Sequence, residues 1–193
     1  MDSVLGTLLM AALVAVPVIF AITVHEAAHG WVAFRRGDPT AALLGRVTFN
    51  PLKHIDPIGT IVVPLGIYLT SKILIGVPFL FGWAKPVPVD WRRLRDPRWD
   101  MALVAVAGPA VNLLMAIGWG LALELMVLVV GFIDIPRGFL YLYVEICVIG
   151  ILINLFLMAL NMIPVLPLDG GRVLSALLPR RVARGFARVE PYG

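Results

Sequence analysis

The sequence predicts an α-helical polytopic membrane protein, and three observations support this fold class. Of its 193 residues, 60% are hydrophobic and only 15% are charged, whereas soluble domains carry roughly 25% charged residues. The mean hydropathy is +0.94. Apolar runs long enough to cross a hydrocarbon core, which takes about 20 helical residues, recur along the chain. We therefore expect one membrane-embedded domain, residues 1–193, with about four to six membrane segments, some broken or re-entrant, and a short membrane-associated β element.

The charge distribution indicates a lipid bilayer partner and no nucleic-acid partner. The formal net charge is +4 and the pI is about 9.6, but the basic residues flank apolar runs, as topology signals do. The single cysteine, Cys147, lies within an apolar run and excludes an intramolecular disulfide.

The first apolar segment, residues 4–34, contains the pattern His25-Glu26-Ala27-Ala28-His29 and is closed by Arg35 and Arg36. In a helix, positions four apart lie roughly 40° from each other, so the two histidines share one face and can hold one zinc ion. Glu26 could then act as the general base on a water molecule activated by the metal. Ionisable residues in an apolar segment are costly, which favours a functional role over chance. The two arginines place this end of the segment at the cytoplasmic face.

The next part, residues 37–57, is polar and rich in turn signals around a stretch of strand formers at residues 44–49. We expect a strand or hairpin there, at the inner membrane face. His54 has charged neighbours at Lys53 and Asp56, which favours a solvated loop residue over a metal ligand.

Residues 58–81 are apolar but interrupted by Pro64, Gly66, Gly76 and Pro78. A single crossing would carry the basic run at residues 91–98 to the outside, against the positive-inside rule. A re-entrant segment avoids this conflict and is the expected arrangement, followed by an extended, proline-rich stretch at residues 82–89.

Residues 101–132 then span outward, with Gly108, Pro109 and Asn112 near the inner end, and residues 139–162 return. The stretch at 161–172 contains two prolines and two glycines, which exclude a regular helix throughout it. The basic stretch at 179–188 is expected to contact lipid headgroups.

Asp169, in that broken stretch, is the best candidate for a third metal ligand, because catalytic zinc usually has three protein ligands and an open position. The alternative is an N-cap aspartate for a helix at residues 170–178. The other aspartates are expected at the opposite face or among solvated charges; they are Asp38, Asp56, Asp90, Asp96, Asp100 and Asp134.

Three motifs together resemble the site-2 protease family of intramembrane zinc metalloproteases over about residues 1–178. They are His25-Glu26-x-x-His29, Gly108-Pro109-x-x-Asn112 and Asn161-x-x-Pro164-x-x-Pro167-x-Asp169-Gly170-Gly171. The stretch Gly82-Trp83-Ala84-Lys85-Pro86-Val87-Pro88 is similar to a compact bacterial and archaeal branch without PDZ or CBS domains. Relatives in that branch commonly continue into another apolar helix beyond a sequence like the one at the end of this chain.

The resemblance implies one zinc ion per chain, held by His25, His29 and Asp169, with Glu26 as the base and Asn161 as a side-chain donor near the scissile carbonyl. Asn112, with Gly108 and Pro109, would shape the same cavity. It also implies a transmembrane protein substrate and a prokaryotic cell membrane. The positive-inside rule places the active site towards the cytoplasm.

Two other functions remain open from the residues. A membrane metal transporter or sensor could use the same ligands, without needing an acid-base residue. A proteolytically inactive scaffold would usually lack one of the catalytic positions, and here all are present. Nothing in the sequence indicates the oligomeric state or the identity of the substrate.

Overall fold

The computed structural model describes residues 2–77, 79 and 82–188, and its regular structure is helical. Three short turns stand outside the α-helices, two of 3₁₀ type at Pro51–Lys53 and Trp91–Arg93 and one of π type at Pro57–Val62. The α-helices of the described residues are α1 (Asp2–Arg36), α2 (Thr40–Leu43), α3 (Val63–Ile75), α4 (Pro97–Val130), α5 (Arg137–Asn161), α6 (Asp169–Leu177) and α7 (Arg180–Ala187).

Within the described residues, four stretches are long and apolar enough to cross a membrane: Leu13–Arg36, Pro57–Ile75, Pro97–Val130 and Arg137–Asn161. Only 11% of the most apolar part of α4 and 17% of that of α5 is buried inside the protein. Their apolar side chains therefore face outward, where a bilayer would cover them. The chain is a polytopic, α-helical integral membrane protein, as the composition predicts.

Helix α4 is the centre of the packing, since it contacts α1, α5 and α6. Its first turn is capped by Asp96, and Asp100 accepts the Asp96 N–H at 3.0 Å. Arg36, the last residue of α1, places its Nε 3.5 Å from Asp100 Oδ1. The end of α1 and the start of α4 therefore lie at the same end of the bundle.

Two of the aspartates expected among solvated charges are buried, so that prediction is wrong for them. Asp38 and Asp100 are 0% and 4% exposed. Asp38 accepts hydrogen bonds from the backbone N–H groups of Thr40, at 3.0 Å, and Asp90, at 2.7 Å. Both carboxylates satisfy backbone donors at helix ends and turns, a role that burial strengthens.

The predicted β element is not confirmed, because no strand occurs in the described part of the chain. Residues 44–49 form turns and bends. Gly45 adopts a left-handed conformation, with φ +63°, and the Arg46 N–H returns to the Ala41 carbonyl at 2.9 Å. The stretch of strand formers thus follows a helix-ending turn and has no neighbouring strand with which to pair.

The 82–89 segment returns to the start of the apolar stretch that precedes it. The Trp83 N–H donates to the Gly59 carbonyl at 3.0 Å, and the Lys85 N–H donates to the His54 carbonyl at 2.9 Å. The residues on either side of α3 are therefore adjacent, as a re-entrant segment requires. Residues 78, 80 and 81, which that prediction includes, lie outside the described residues.

Helix α6 is held beside the start of α4. Arg98, in the first turn of α4, donates from Nε to the Ala176 carbonyl at 2.6 Å and from Nη2 to the Leu178 carbonyl at 2.8 Å. These carbonyls belong to the end of α6, where they have no partner within the helix. Asp169 is the first residue of α6 and Leu168 is its N-cap, so the side chain of Asp169 does not cap the helix.

Candidate metal centre

The structure brings together three potential metal ligands, all predicted from the sequence. His25 and His29 lie one turn apart on α1, and their Nε2 atoms are 3.0 Å apart. Asp169 Oδ2 lies 3.3 Å from each of these nitrogens. Among the described residues these three form the cluster of histidine, cysteine or acidic side chains that could hold a metal ion.

Both histidines are oriented by acceptors at their other ring nitrogen. His29 Nδ1 lies 2.7 Å from the Val104 carbonyl of α4, and a carbonyl only accepts. His25 Nδ1 is hydrogen-bonded to Oδ1 of Asn112, also on α4. When each Nδ1 carries the proton, each Nε2 presents a lone pair to the shared centre.

The donor set fits a zinc ion. Tetrahedral donors at about 2.0–2.1 Å from a metal stand about 3.3–3.4 Å apart, close to the 3.0 and 3.3 Å separations seen here. Asp169 Oδ2 is also buried without a hydrogen-bond partner in the described part of the protein. A cation held between the three side chains would satisfy this oxygen and both imidazole lone pairs.

The electrostatics of Asp169 agree with this reading. Burial raises the pKa of the carboxyl, but the neighbouring imidazoles of His25 and His29, when they are protonated, outweigh burial and lower it to about 2. The carboxylate is therefore ionised at neutral pH, and positive charge at the centre stabilises it.

Gly108 allows α4 to approach the two histidines. A Cβ atom at this position would lie 2.5 Å from His25 Nε2 and 2.5 Å from His29 Nε2. Such contacts are far shorter than van der Waals separation, so only glycine fits here. The next residue, Pro109, is also buried. Gly108 therefore lies directly against both imidazoles, whereas burial alone is seen for Pro109; that the two residues shape the active-site cavity stays a prediction.

Glu26 follows His25 directly, so it lies about 100° around the helix from that histidine. Its carboxylate contacts the 82–89 segment. Glu26 Oε2 accepts a hydrogen bond from the Val87 N–H at 2.7 Å. Val87 is flanked by Pro86 and Pro88, so its N–H is the only backbone donor among residues 86–88.

The 82–89 segment is itself fixed by residues of the preceding loop. Arg46 Nη2 donates to the Lys85 carbonyl at 2.7 Å and to the Pro86 carbonyl at 3.3 Å. His54 is 3% exposed, and its Nε2 lies 3.0 Å from the Thr48 carbonyl. The expectation that His54 is solvated is therefore wrong: it is a buried residue that fixes the loop, and it does not join the metal cluster.

Asn161 is the predicted site residue that the structure does not show in contact with the others. It ends α5, and its Nδ2 donates to the Leu157 carbonyl of the same helix at 3.0 Å. Asn154, one and a half to two turns earlier, was not singled out from the sequence. It is buried and accepts from Asn112 Nδ2 at 2.9 Å. An amide inside an apolar span was the signal that could have identified it.

Membrane helices that bring two histidines and an aspartate together, with a glutamate next to the first histidine, are typical of a membrane-embedded metallohydrolase. The family model described as peptidase family M50 matches residues 129–191. The chain belongs to this family, the site-2 protease family of zinc metalloproteases.

Two curated relatives carry this assignment over most of the chain. A Bacillus subtilis (strain 168) protein named "Putative zinc metalloprotease YwhC" is 37% identical over 179 residues, covering 92% of this chain and 74% of the relative. "Putative zinc metalloprotease Rip2" of Mycolicibacterium smegmatis is 29% identical over 175 residues, covering 91% of this chain. This chain spans 61% of the length of that second relative. No solved structure gives a significant match.

Proposed function

We propose that this protein is an intramembrane zinc metalloprotease that hydrolyses peptide bonds within or near transmembrane segments of membrane proteins. The observation that carries the proposal is the convergence of His25 Nε2, His29 Nε2 and Asp169 Oδ2 within 3.3 Å of one another. The glutamate that follows the first histidine, and the apolar helices around the site, favour hydrolysis in a membrane setting.

In this proposal each chain holds one zinc ion through His25, His29 and Asp169. Bound zinc would act as a Lewis acid that polarises the substrate carbonyl and promotes ionisation of water. Asp169 supplies the negative charge, and the two neutral imidazoles complete the protein ligands.

Glu26 would act as the general base. Its carboxylate takes a proton from the attacking water and later returns it to the leaving amine. The Val87 N–H holds Oε2 at 2.7 Å, which leaves the other carboxylate oxygen for proton transfer. Asn161, assigned by its motif position, would donate to the scissile carbonyl after its amide turns away from the Leu157 carbonyl.

The substrate class follows from the surroundings of the site. A cavity of about 650 Å³ flanks the motif helix, and its walls are mostly apolar. It is suited to apolar side chains of a membrane segment. No strand is found at residues 44–49, so pairing of an extended substrate with a strand there forms no part of this mechanism. The cavity is lined by Val24, Ala27, Ala28, Trp31, Val47, Thr48, Phe49 and Val111.

The basic residues at the end of α1 and before α4 favour a cytoplasmic position for the site, in a prokaryotic cell membrane. Arg36 at the end of α1 contacts Asp100 in the first turn of α4, so both basic regions lie at one end of the bundle. The same end carries α6 through Arg98.

The test is cleavage of a membrane-spanning substrate by purified Glu26→Gln protein. We expect loss of at least about 100-fold in rate, the usual contribution of a general base, with zinc content unchanged. Glu124→Gln is the matched control, because Glu124 is an exposed residue of α4 and should retain full activity. Undiminished cleavage by Glu26→Gln would overturn the proposal, and zinc flux through vesicles that survives this substitution would favour a transporter.

A further inference from the structure

We infer that a chain of buried amides, running from the Gly150 carbonyl through Asn154 and Asn112, determines which ring nitrogen of His25 carries the proton. Asn154 is thereby a positioning residue for the metal centre. The inference rests on the proposed function insofar as His25 is a zinc ligand.

The chain begins at a backbone carbonyl of α5. Asn154 Nδ2 donates to the Gly150 carbonyl at 2.8 Å. A carbonyl oxygen can only accept, so the NH₂ end of the Asn154 amide must face it. The oxygen end, Oδ1, is then the end that faces α4.

Asn112 continues the chain on α4. Its Nδ2 donates to Asn154 Oδ1 at 2.9 Å, which places its own Oδ1 towards α1. That oxygen is hydrogen-bonded to His25 Nδ1, and because an amide oxygen only accepts, the hydrogen must be on Nδ1. His25 Nε2 is left with a lone pair that points to His29 and Asp169.

Burial makes this directional order strict. Asn112 and Asn154 are both 0% exposed, so neither amide can exchange a lost partner for bulk water. A flipped Asn154 would place two oxygens against each other at Gly150, and a flipped Asn112 would place its own oxygen against Asn154 Oδ1. Each alternative leaves buried groups unsatisfied, at a cost of about 1–3 kcal/mol each.

The alternative is that the contact between Asn112 and Asn154 serves only to pack α4 against α5, as interhelical asparagine hydrogen bonds do in other membrane bundles. Packing alone would make Asn154 matter for stability but not for the tautomer of His25 or its metal affinity. The tautomer and the metal affinity therefore separate the two roles.

The first measurement uses the wild-type protein without metal, with ¹⁵N-labelled histidine in detergent micelles. Long-range ¹H–¹⁵N correlation should show His25 as the Nδ1–H tautomer above the pH at which it protonates. A predominant Nε2–H tautomer would overturn the inference whatever any variant does, and it would leave the proteolysis proposal intact.

The second measurement is zinc affinity, determined by competition with a chelator, in Asn154→Leu. We expect affinity to fall about 10-fold to 100-fold, the usual effect of losing support behind a histidine ligand. Cys147→Ala is the matched control, because Cys147 is equally buried on α5 and lies outside the amide chain; its zinc affinity should be unchanged.

A double variant distinguishes an effect passed through the chain of buried amides from a loss of the fold. A carboxylate at position 112 accepts from His25 in either orientation, so Asn112→Asp should make position 154 irrelevant to zinc. Asn112→Asp/Asn154→Leu should therefore bind zinc within about threefold of Asn112→Asp alone. The inference would be overturned if Asn154→Leu lowered zinc affinity equally in the wild-type and Asn112→Asp backgrounds, or lowered it in neither.

Discussion

Glu26 Oε2 accepts a hydrogen bond of 2.7 Å from the backbone N–H of Val87, the only N–H among residues 86–88. A backbone donor between two prolines has little freedom to move, since each proline ring fixes its own φ. The carboxylate proposed as the base is therefore positioned by a backbone donor of the 82–89 segment. This contact connects the proline-rich stretch, 61 residues further along the chain, to the chemistry.

The contact of Arg46 with the 82–89 segment gives the first prediction. Arg46→Ala removes the donor to the Lys85 and Pro86 carbonyls, so Val87 should no longer hold Glu26 in place. We expect kcat for cleavage of a membrane-spanning substrate to fall roughly 10-fold, with zinc content unchanged. Arg46→Lys retains one donor and should restore part of the rate.

The control for Arg46→Ala is Lys85→Ala. The Lys85 side chain is exposed, and it is its backbone carbonyl that Arg46 contacts, so this variant should cleave as wild type does. If Arg46→Ala lost zinc in step with activity, the arginine would support the fold rather than the base.

Gly108 gives a prediction with a control on the same helix. A Cβ atom there would lie 2.5 Å from both Nε2 atoms, so Gly108→Ala should displace the histidines and lower zinc affinity at least about 10-fold. Gly118→Ala, where nothing lies within 4 Å, should bind zinc normally and be as stable as wild type or slightly more so. Zinc affinity of both purified variants is measured by isothermal titration calorimetry or by competition with a chelator. Equal affinities would contradict the close approach of α4 to His25 and His29.

The site's ligands were predictable from sequence because local rules fix them. Helical periodicity alone puts His25 and His29 on one face, and charge placement and segment length put Asp169 at the same depth. The contacts of Val87 and Asn154 were not predictable in this way, since they depend on which faces of distant segments meet. The left-handed turn at Gly45 and the contact of His54 with the Thr48 carbonyl likewise override what local composition predicts for this part of the chain.

The support of α6 gives a third prediction. Arg98→Ala leaves the Ala176 and Leu178 carbonyls without their donor and should lower the free energy of unfolding by about 1–3 kcal/mol. Because Asp169 begins the same helix, zinc affinity should fall as well. Arg92→Ala, whose side chain is 90% exposed, is the control and should change neither thermal stability nor affinity. Normal zinc binding by a destabilised Arg98→Ala would show that Asp169 is positioned independently of the end of α6.

Removal of the carboxylate ligand gives the fourth prediction. Asp169→Ala leaves two imidazoles to hold the ion, and we expect zinc affinity to fall at least about 100-fold. Chelation should likewise abolish cleavage by the wild-type protein, and added zinc should restore it. Glu26→Gln, in contrast, should lose activity while retaining the metal, so the two variants separate ligand from base. Retention of stoichiometric zinc by Asp169→Ala after dialysis would exclude the carboxylate as a ligand.

The most direct test of the central claim is anomalous diffraction at the zinc edge from crystals of the purified protein. We expect one zinc peak per chain, about 2.0–2.2 Å from His25 Nε2, His29 Nε2 and an oxygen of Asp169. A zinc peak elsewhere, or one that His25 and His29 bind without Asp169, would contradict the proposed ligand set.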